Sequence, residues 1–127
     1  MPTQNARAAA MLAFRCAVCL LFVLHPISAL GLVDGSVAPV PVAIASGVEI
    51  LGALLVAVGL FTRPAAFLLS GMMAFAFFVV HLPGGWNWLE NGGEPAALYS
   101  WVFLLLFVLG PGPLSLDRRR GRATAAV

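Results

Sequence analysis

Charged residues are scarce in this sequence. Only 9% of its 127 residues are Asp, Glu, Lys or Arg, and lysine is absent altogether, whereas soluble domains are about 25% charged. Hydrophobic residues make up 61% of the chain, which is more apolar surface than a small domain can bury away from water. This balance excludes an ordinary water-soluble protein and predicts an integral membrane protein with one domain.

The sequence also lacks the signatures of soluble enzymes and of nucleic-acid binding. It has no glycine-rich nucleotide loop, no G-x-S-x-G and no H-E-x-x-H. Its positive charge comes from seven arginines, four of them in "RRRGR" at 118–122, without a basic face that interleaves aromatic residues. A basic cluster beside a membrane helix is typical of a cytoplasmic segment, so we expect no nucleic-acid partner.

Four apolar stretches suit membrane-spanning helices, which need roughly 17 to 25 residues. They lie at about 8–32, 40–61, 65–82 and 95–114, and the last reaches this length only if it continues to Leu114. No stretch alternates apolar and polar residues as a membrane barrel requires. The sequence therefore predicts an all-α fold, a four-helix membrane bundle in a single domain over 1–127 with a basic tail at 115–127.

The distribution of charge predicts the orientation of this bundle. Arg7, Arg63 and the arginine tail fall on one side of an up-and-down chain, whereas Asp34 and Glu94 fall on the other. The positive-inside rule then places both termini in the cytoplasm. As an alternative, the first stretch resembles a signal peptide with "ISALG" as its cleavage region, but its length favours a retained helix.

Few ionisable residues fall within the predicted spans, and Glu49 is the most unusual of them. Such residues are rare in membranes and usually face the protein interior. Small residues flank Glu49 on its helix face, with Gly52 among them, so we expect it to face a neighbouring helix. Three interpretations stay open: an ion pair with Arg15 that joins helices 1 and 2, a carboxyl group that handles protons or contacts a ligand, or a protonated group without a role.

His25 and His81 lie toward the opposite side of the membrane from the arginines. Two histidines are too few for a convincing metal or haem site, so we expect no metal. Each has an ordinary explanation, an interfacial hydrogen bond for His81 and a polar group at the helix kink before Pro26 for His25. The "CAVC" at 16–19 matches a redox C-x-x-C pattern, although cysteine is also an ordinary small residue in an apolar helix.

Several stretches taken together resemble the DoxX family of small bacterial and archaeal membrane proteins. They are "GVEILGALLVAVGLFTR" (47–63), His81, "NGGEPAAL" (91–98) and "GPGPLSLD" (110–117). The resemblance covers about 15–117, and helix 1 departs from it at Pro26, where the family commonly has a glycine near a lysine. The positions that match the family are Arg15, Glu49, Gly52, Arg63, His81, Glu94 and Asp117.

This resemblance implies a four-helix bundle in the bacterial or archaeal cytoplasmic (inner) membrane, in contact with lipid. It also implies an association with quinone-linked oxidoreductase systems. We therefore expect a redox-associated subunit that binds quinone between its helices through Glu49 and His81, with His25 as a further candidate, and that works with redox partner proteins or as an oligomer. Arg63 and Asp117 are candidates for a structural ion pair. The alternative is a non-catalytic subunit, assembly factor or carrier of a small lipophilic compound.

Overall fold

A computed structural model describes residues 1–125, and this part of the chain is helical without a strand. The elements are α1 Gln4–Ala29, α2 Val40–Val58, α3 Thr62–Phe75, α4 Glu94–Leu109 and α5 Leu116–Ala125. Beyond Phe75, α3 continues through a π-helical turn, Ala76–His81, and a 3-10 turn, Leu82–Gly84. The all-α expectation is therefore confirmed for the described residues.

Three helices are long and apolar enough to cross a membrane, namely Gln4–Ala29, Val40–Val58 and Thr62–Gly84. The fourth, α4, has 16 residues and covers about 24 Å at 1.5 Å per residue, less than the ~30 Å hydrocarbon layer. It ends at Leu109 and does not continue to Leu114. The reason is local, since Gly110 adopts a φ of +79° and Pro111 cannot continue a helix.

The helices pack in chain order, α1 on α2, α2 on α3 and α3 on α4. Phe22 packs α1 against α4. Its ring lies edge-to-face with those of Tyr99 and Phe103, with ring centroids 5.2 Å and 4.9 Å apart. Phe22 and Phe103 are fully buried. The core therefore runs down the middle of the bundle, and its other buried members are Cys19, Ala53, Val56, Ala65, Ala66, Leu69, Met73, Ala96 and Leu106.

Small residues allow α2 and α3 to approach closely. A Cβ atom at Gly52 would lie 3.0 Å from Cδ2 of Leu69, so the leucine packs directly on the glycine backbone. Ala53 and Ala66 are buried in the same region. Close backbone approach of this kind replaces the hydrophobic driving force that helices lack in lipid.

The α3–α4 contact also carries polar links. The Ser70 hydroxyl donates a hydrogen bond to the Ser100 carbonyl at 2.7 Å, and the Ser100 hydroxyl donates one to the Ser70 carbonyl at 3.0 Å. Hydroxyls in membrane helices use such interhelical bonds in place of water. This reciprocal pair fixes α3 against α4 in one register.

The segment predicted as a basic tail is helical over Leu116–Ala125, while Ala126 and Val127 lie outside the described residues. The buried Ser115 begins this helix, because its hydroxyl accepts a hydrogen bond from the Arg118 amide at 3.2 Å. A serine in that position satisfies an amide that has no partner within the helix. The tail is thus tied to the bundle at its first residue.

Candidate functional site

One end of the bundle, here called the arginine end, carries Arg7, Arg63 and α5, with Arg15 buried beneath them. The Arg15 side chain is only 1% exposed. Its guanidinium donates hydrogen bonds to the carbonyl oxygens of Ala57 at 3.2 Å, of Leu114 at 2.9 Å and of Pro111. Arg15 therefore joins α1 to the end of α2 and to the segment that follows α4.

These contacts correct the predicted ion pair between Arg15 and Glu49. Ala57 lies eight residues beyond Glu49 on α2, which places the guanidinium about 12 Å further along the helix axis. Arg15 lies instead among carbonyl oxygens at the C-terminal end of α2, where the helix leaves acceptors without partners and its dipole is negative. The structure does not bring these two residues together.

Asp117 holds the turn between α2 and α3. Its carboxylate accepts hydrogen bonds from the amides of Phe61 at 2.8 Å and Thr62 at 2.9 Å, and its own amide donates to the Gly59 carbonyl at 2.8 Å. The first amides of a helix have no partner within it, and α3 receives its cap from this distant residue. Gly59 with φ +75° and Phe61 with φ +48° make the tight turn.

The environment of Asp117 favours its ionised form. Partial burial opposes ionisation, but the hydrogen bonds from Thr62 and Phe61, together with the nearby positive charge of Arg120, outweigh it, so the pKa of Asp117 lies below its ordinary value of 3.8. The guanidinium of Arg120 lies over the Phe61 ring, with its Cζ atom 4.7 Å from the ring centroid. Asp117 is therefore charged at neutral pH and well suited to cap α3.

The predicted partner of Asp117, Arg63, lies elsewhere at this end. A Cβ atom at Gly110 would lie 3.2 Å from Nε of Arg63, so the guanidinium packs against the glycine that ends α4. In the part of the chain that the structure describes, the Asp117 carboxylate takes its hydrogen bonds from backbone amides and none from Arg63. The cap on α3, rather than an Arg63–Asp117 bond, joins this segment to the turn.

Glu49 lies in a groove between α2 and α3 that opens to the lipid-facing surface. The groove has a volume of about 680 Å³, and the residues that line it besides Glu49 are apolar: Pro41, Val42, Ala45, Phe67, Leu68, Gly71, Met72, Phe75, Ala76 and Val80. The glutamate is half-buried. Its carboxyl group receives no hydrogen bond from any side chain or amide in residues 1–125. We call this cavity the Glu49 groove.

The two histidines lie apart from the Glu49 groove. His81 ends the π-helical turn, and its Nδ1 is 3.1 Å from the Asn91 carbonyl oxygen, so it joins α3 to the loop before α4. His25 lies where α1 faces α4, and the centroid of its ring is 5.7 Å from that of Tyr99. Among the three predicted ligand contacts, only Glu49 lines the groove.

The remaining candidates have local roles or none. Cys16 is exposed, Cys19 is buried, and both are free thiols. Glu94 is the first residue of α4, where its charge complements the helix dipole, but it makes no capping hydrogen bond. No group of three or more His, Cys, Asp or Glu side chains within residues 1–125 is placed to hold a metal ion.

Sequence reasoning missed the residues that organise the arginine end. Ser115 is buried against Gly59, where an added Cβ atom would lie 2.5 Å from the serine Cβ. A serine followed two residues later by an aspartate is typical of a helix start, with a capping hydroxyl and an acidic residue in the first turn. It could have identified α5, but not its contact with a turn more than fifty residues earlier.

Curated proteins similar to this chain are bacterial. An uncharacterized protein of Haemophilus influenzae is 42% identical over 116 residues, covering 83% of this chain and 86% of its own. The inner membrane protein YphA of Escherichia coli is 32% identical, covering 90% of this chain and 92% of its own. No solved structure matches with significance.

These relatives and the three apolar spans define a multi-pass protein of the inner membrane. The model of the DoxX family matches residues 10–82, which is more than half of the sequence. The chain belongs to the DoxX family, and the resemblance noted in the sequence is confirmed. The matched range contains Arg15, the buried side chain that joins the helices at the arginine end, and Glu49, the polar group of the Glu49 groove.

Proposed function

We propose that this protein is a redox-associated subunit of the inner membrane that binds a small lipophilic molecule of the quinone class in the Glu49 groove. The observation that carries the proposal is a half-buried carboxyl group on an otherwise apolar wall, in a groove of about 680 Å³. Ligand sites are typically apolar with a few placed polar groups. A carboxyl group kept at this depth without a protein partner favours a functional role.

A quinone matches the chemistry of this groove. Its ring and tail are apolar and suit the walls formed by Phe67, Phe75 and Leu68, while a protonated Glu49 can donate a hydrogen bond to one ring carbonyl. Reduction of a quinone to a quinol takes up two electrons and two protons. In this proposal Glu49 supplies one proton, and water at the membrane surface supplies the other and reprotonates Glu49. The electrons come from a partner oxidoreductase in this proposal, in keeping with the quinone-linked systems that the family resemblance implies.

The geometry changes the roles proposed for the histidines. His81 bonds to the Asn91 carbonyl in the loop before α4 and does not line the groove, so we assign it a structural role. His25 borders a different surface with Tyr99. Glu49 is then the one polar contact that we assign to the bound molecule.

The alternative is a non-catalytic subunit whose groove accepts a helix of a partner or of a second copy. One feature favours it, because the Gly71 backbone is exposed in the groove and a Cβ atom there would meet no atom within 4 Å. A glycine on an open helix face is typical of helix–helix contacts in membranes. In this case Glu49 would bond across the interface.

Extraction of bound quinone tests the proposal. The protein is purified in mild detergent, and quinone per protein is measured by mass spectrometry for the wild type, Gly71→Leu and Gly47→Leu. Gly71 lines the groove, whereas Gly47 is an open position of α2 outside it, so the two variants add the same side chain. We expect quinone with the wild type and Gly47→Leu and a loss with Gly71→Leu. Equal quinone in both variants, or none in any, contradicts the proposal.

A further inference from the structure

The arginine end contains two adjoining grooves that the proposed function does not use. One, of about 520 Å³, lies between α1, the end of α2 and α5; the other, of about 550 Å³, lies between the first turns of α1 and α5. Arg118 and Arg122 line both of them. Since these residues are four positions apart on α5, their side chains lie on the same face of that helix.

The grooves concentrate positive charge without an internal counter-ion. Arg15 and Arg119 line the first and Arg7 the second. Within the described residues, neither groove includes an aspartate or glutamate in its lining. The acidic residue of α5, Asp117, is engaged with the amides of Phe61 and Thr62. The charge is therefore available to an anion from outside the chain.

The floor of these grooves is apolar, and this determines the kind of anion that fits. Leu12, Val58 and Leu114 line the first groove, and Met11 lines the second. Leu12 and Val58 belong to helices that are long and apolar enough to span the membrane, so the grooves lie where those helices leave the hydrocarbon. A ligand that meets both surfaces has an anionic head and an apolar tail.

We propose that the two grooves bind the headgroup of an anionic phospholipid. The phosphodiester oxygens accept hydrogen bonds from Arg118 and Arg122, and the planar guanidinium groups suit such oxygens in pairs. The acyl chains lie along Leu12 and Val58 in the membrane. Because Arg7 provides a second contact point in the adjoining groove, a lipid with two phosphates binds more tightly than a lipid with one.

Lipid binding to the purified full-length protein tests this assignment. Native mass spectrometry measures the affinity for phosphatidylglycerol, diphosphatidylglycerol and phosphatidylcholine, with inorganic phosphate added as a competitor. We expect binding in the order diphosphatidylglycerol, phosphatidylglycerol, phosphatidylcholine. The variant Arg118→Gln/Arg122→Gln weakens binding of the anionic lipids by about fivefold for each arginine removed.

The matched control is Arg63→Gln/Arg120→Gln, which removes the same charge from the same end. Arg63 packs on Gly110 and Arg120 over Phe61, outside both grooves, so we expect this control to keep the wild-type lipid affinity. Thermal unfolding without added lipid verifies that both double variants are folded. An equal loss in the two variants overturns the site, since it shows a response to net charge alone. Displacement of the lipid by inorganic phosphate, or equal binding of phosphatidylcholine, also overturns it.

Discussion

Nη2 of Arg15 donates a hydrogen bond to the carbonyl oxygen of Leu114 at 2.9 Å, across 99 positions of the sequence. The same guanidinium reaches Ala57 near the end of α2. The first helix, the end of the second and the segment after the fourth thus meet at one buried side chain. The "GPGPLSLD" segment also contacts the "GLFTR" turn directly through Asp117, so the two motifs together close the arginine end of the bundle.

Loss of the Arg15 side chain should destabilise the protein strongly. Arg15→Met retains apolar volume but leaves the carbonyls of Ala57, Pro111 and Leu114 without this donor. Hydrogen bonds to charged groups contribute about 1.5–3 kcal/mol each, so we expect a loss of at least about 3 kcal/mol in the free energy of unfolding. Thermal or denaturant unfolding in detergent measures it.

Glu49→Gln is the informative comparison for that experiment. If Arg15 and Glu49 formed an ion pair, removal of either charge would destabilise the protein, and joint replacement by apolar residues would restore stability. The hydrogen bonds of Arg15 instead predict little change in stability for Glu49→Gln and no rescue in the double variant. A rescue in the double variant would refute this account of Arg15.

Gly59→Ala should disrupt the turn between α2 and α3. A side chain at φ +75° costs about 1–2 kcal/mol, and the new Cβ would lie 2.5 Å from the Cβ of Ser115. We expect a loss of more than about 2 kcal/mol in the free energy of unfolding. Gly47→Ala is the control, because its Cβ meets nothing within 4 Å and alanine in a helix stabilises by about 0.5–1 kcal/mol. Equal stability of the two variants would rule out the turn as an anchor.

The cap that Asp117 provides should depend on pH. Its pKa is lowered in the folded protein, so its contribution is fully present above the ordinary value of 3.8 and is lost as the pH falls from there through the lower folded pKa. Asp117→Asn removes the charge and leaves one acceptor oxygen for the two amides, so it should cost about 1 kcal/mol at pH 7, in the range for a charge at a helix N-terminus. Wild type and variant should converge as the pH falls below about 3.8.

Unfolding curves at several pH values between 7 and 3 measure this convergence. Glu90→Gln serves as the control, because Glu90 is exposed and lies outside the helices, in the loop before α4. We expect its curves to follow the wild type at every pH. A difference between Asp117→Asn and the wild type that stays constant down to pH 3 would show that the carboxylate charge is not what stabilises the turn.

The reciprocal bonds between Ser70 and Ser100 make a double-mutant cycle decisive. Each alanine replacement removes one hydroxyl that bonds to the opposite helix, and interhelical hydrogen bonds in membranes contribute about 0.6 kcal/mol on average. We expect each single variant to lose about that amount. Each hydroxyl bonds to a backbone carbonyl that the other mutation keeps, but the two hydroxyl oxygens also lie 3.5 Å apart, so we expect the losses to add only in part. A coupling energy larger than either single loss would contradict this geometry.

The three long spans were predictable from the sequence, because a helix surrounded by lipid needs a run of about 20 apolar residues. The end of α4 was predicted too late, because the length that a bilayer requires favoured Leu114, whereas Gly110 and Pro111 end the helix at Leu109. Of the four predicted spans, three are helices long and apolar enough to cross a membrane, and the fourth is a shorter apolar helix. Helix α5 was not predicted, because the arginines of this segment were interpreted as a charged tail. The helix begins at Ser115, whose hydroxyl accepts a hydrogen bond from the Arg118 amide.

The candidate site was predictable in one respect and not in another. The small residues around Glu49 predict a helix-facing position; in the structure the glutamate is half-buried in a groove beside α3 that opens to the lipid-facing surface. The partners of Arg15 could not be predicted from the sequence. A charged side chain suggests an oppositely charged partner, whereas Arg15 bonds to backbone carbonyl oxygens, which every residue type carries. The sequence predicts that both histidines lie toward one side of the membrane, but their separation around the bundle depends on helix rotation, which only the packing fixes.

Mapping of a photoactivatable quinone tests the central claim most directly. The probe is irradiated with the protein in membranes, and the labelled peptides are identified by mass spectrometry. We predict labels on α2 near Glu49 and on α3 near Gly71, with unlabelled natural quinone as competitor and loss of labelling in Gly71→Leu but not in Gly47→Leu. Labels confined to α1 and α4, or labelling that excess quinone does not reduce, would contradict the assignment of the Glu49 groove.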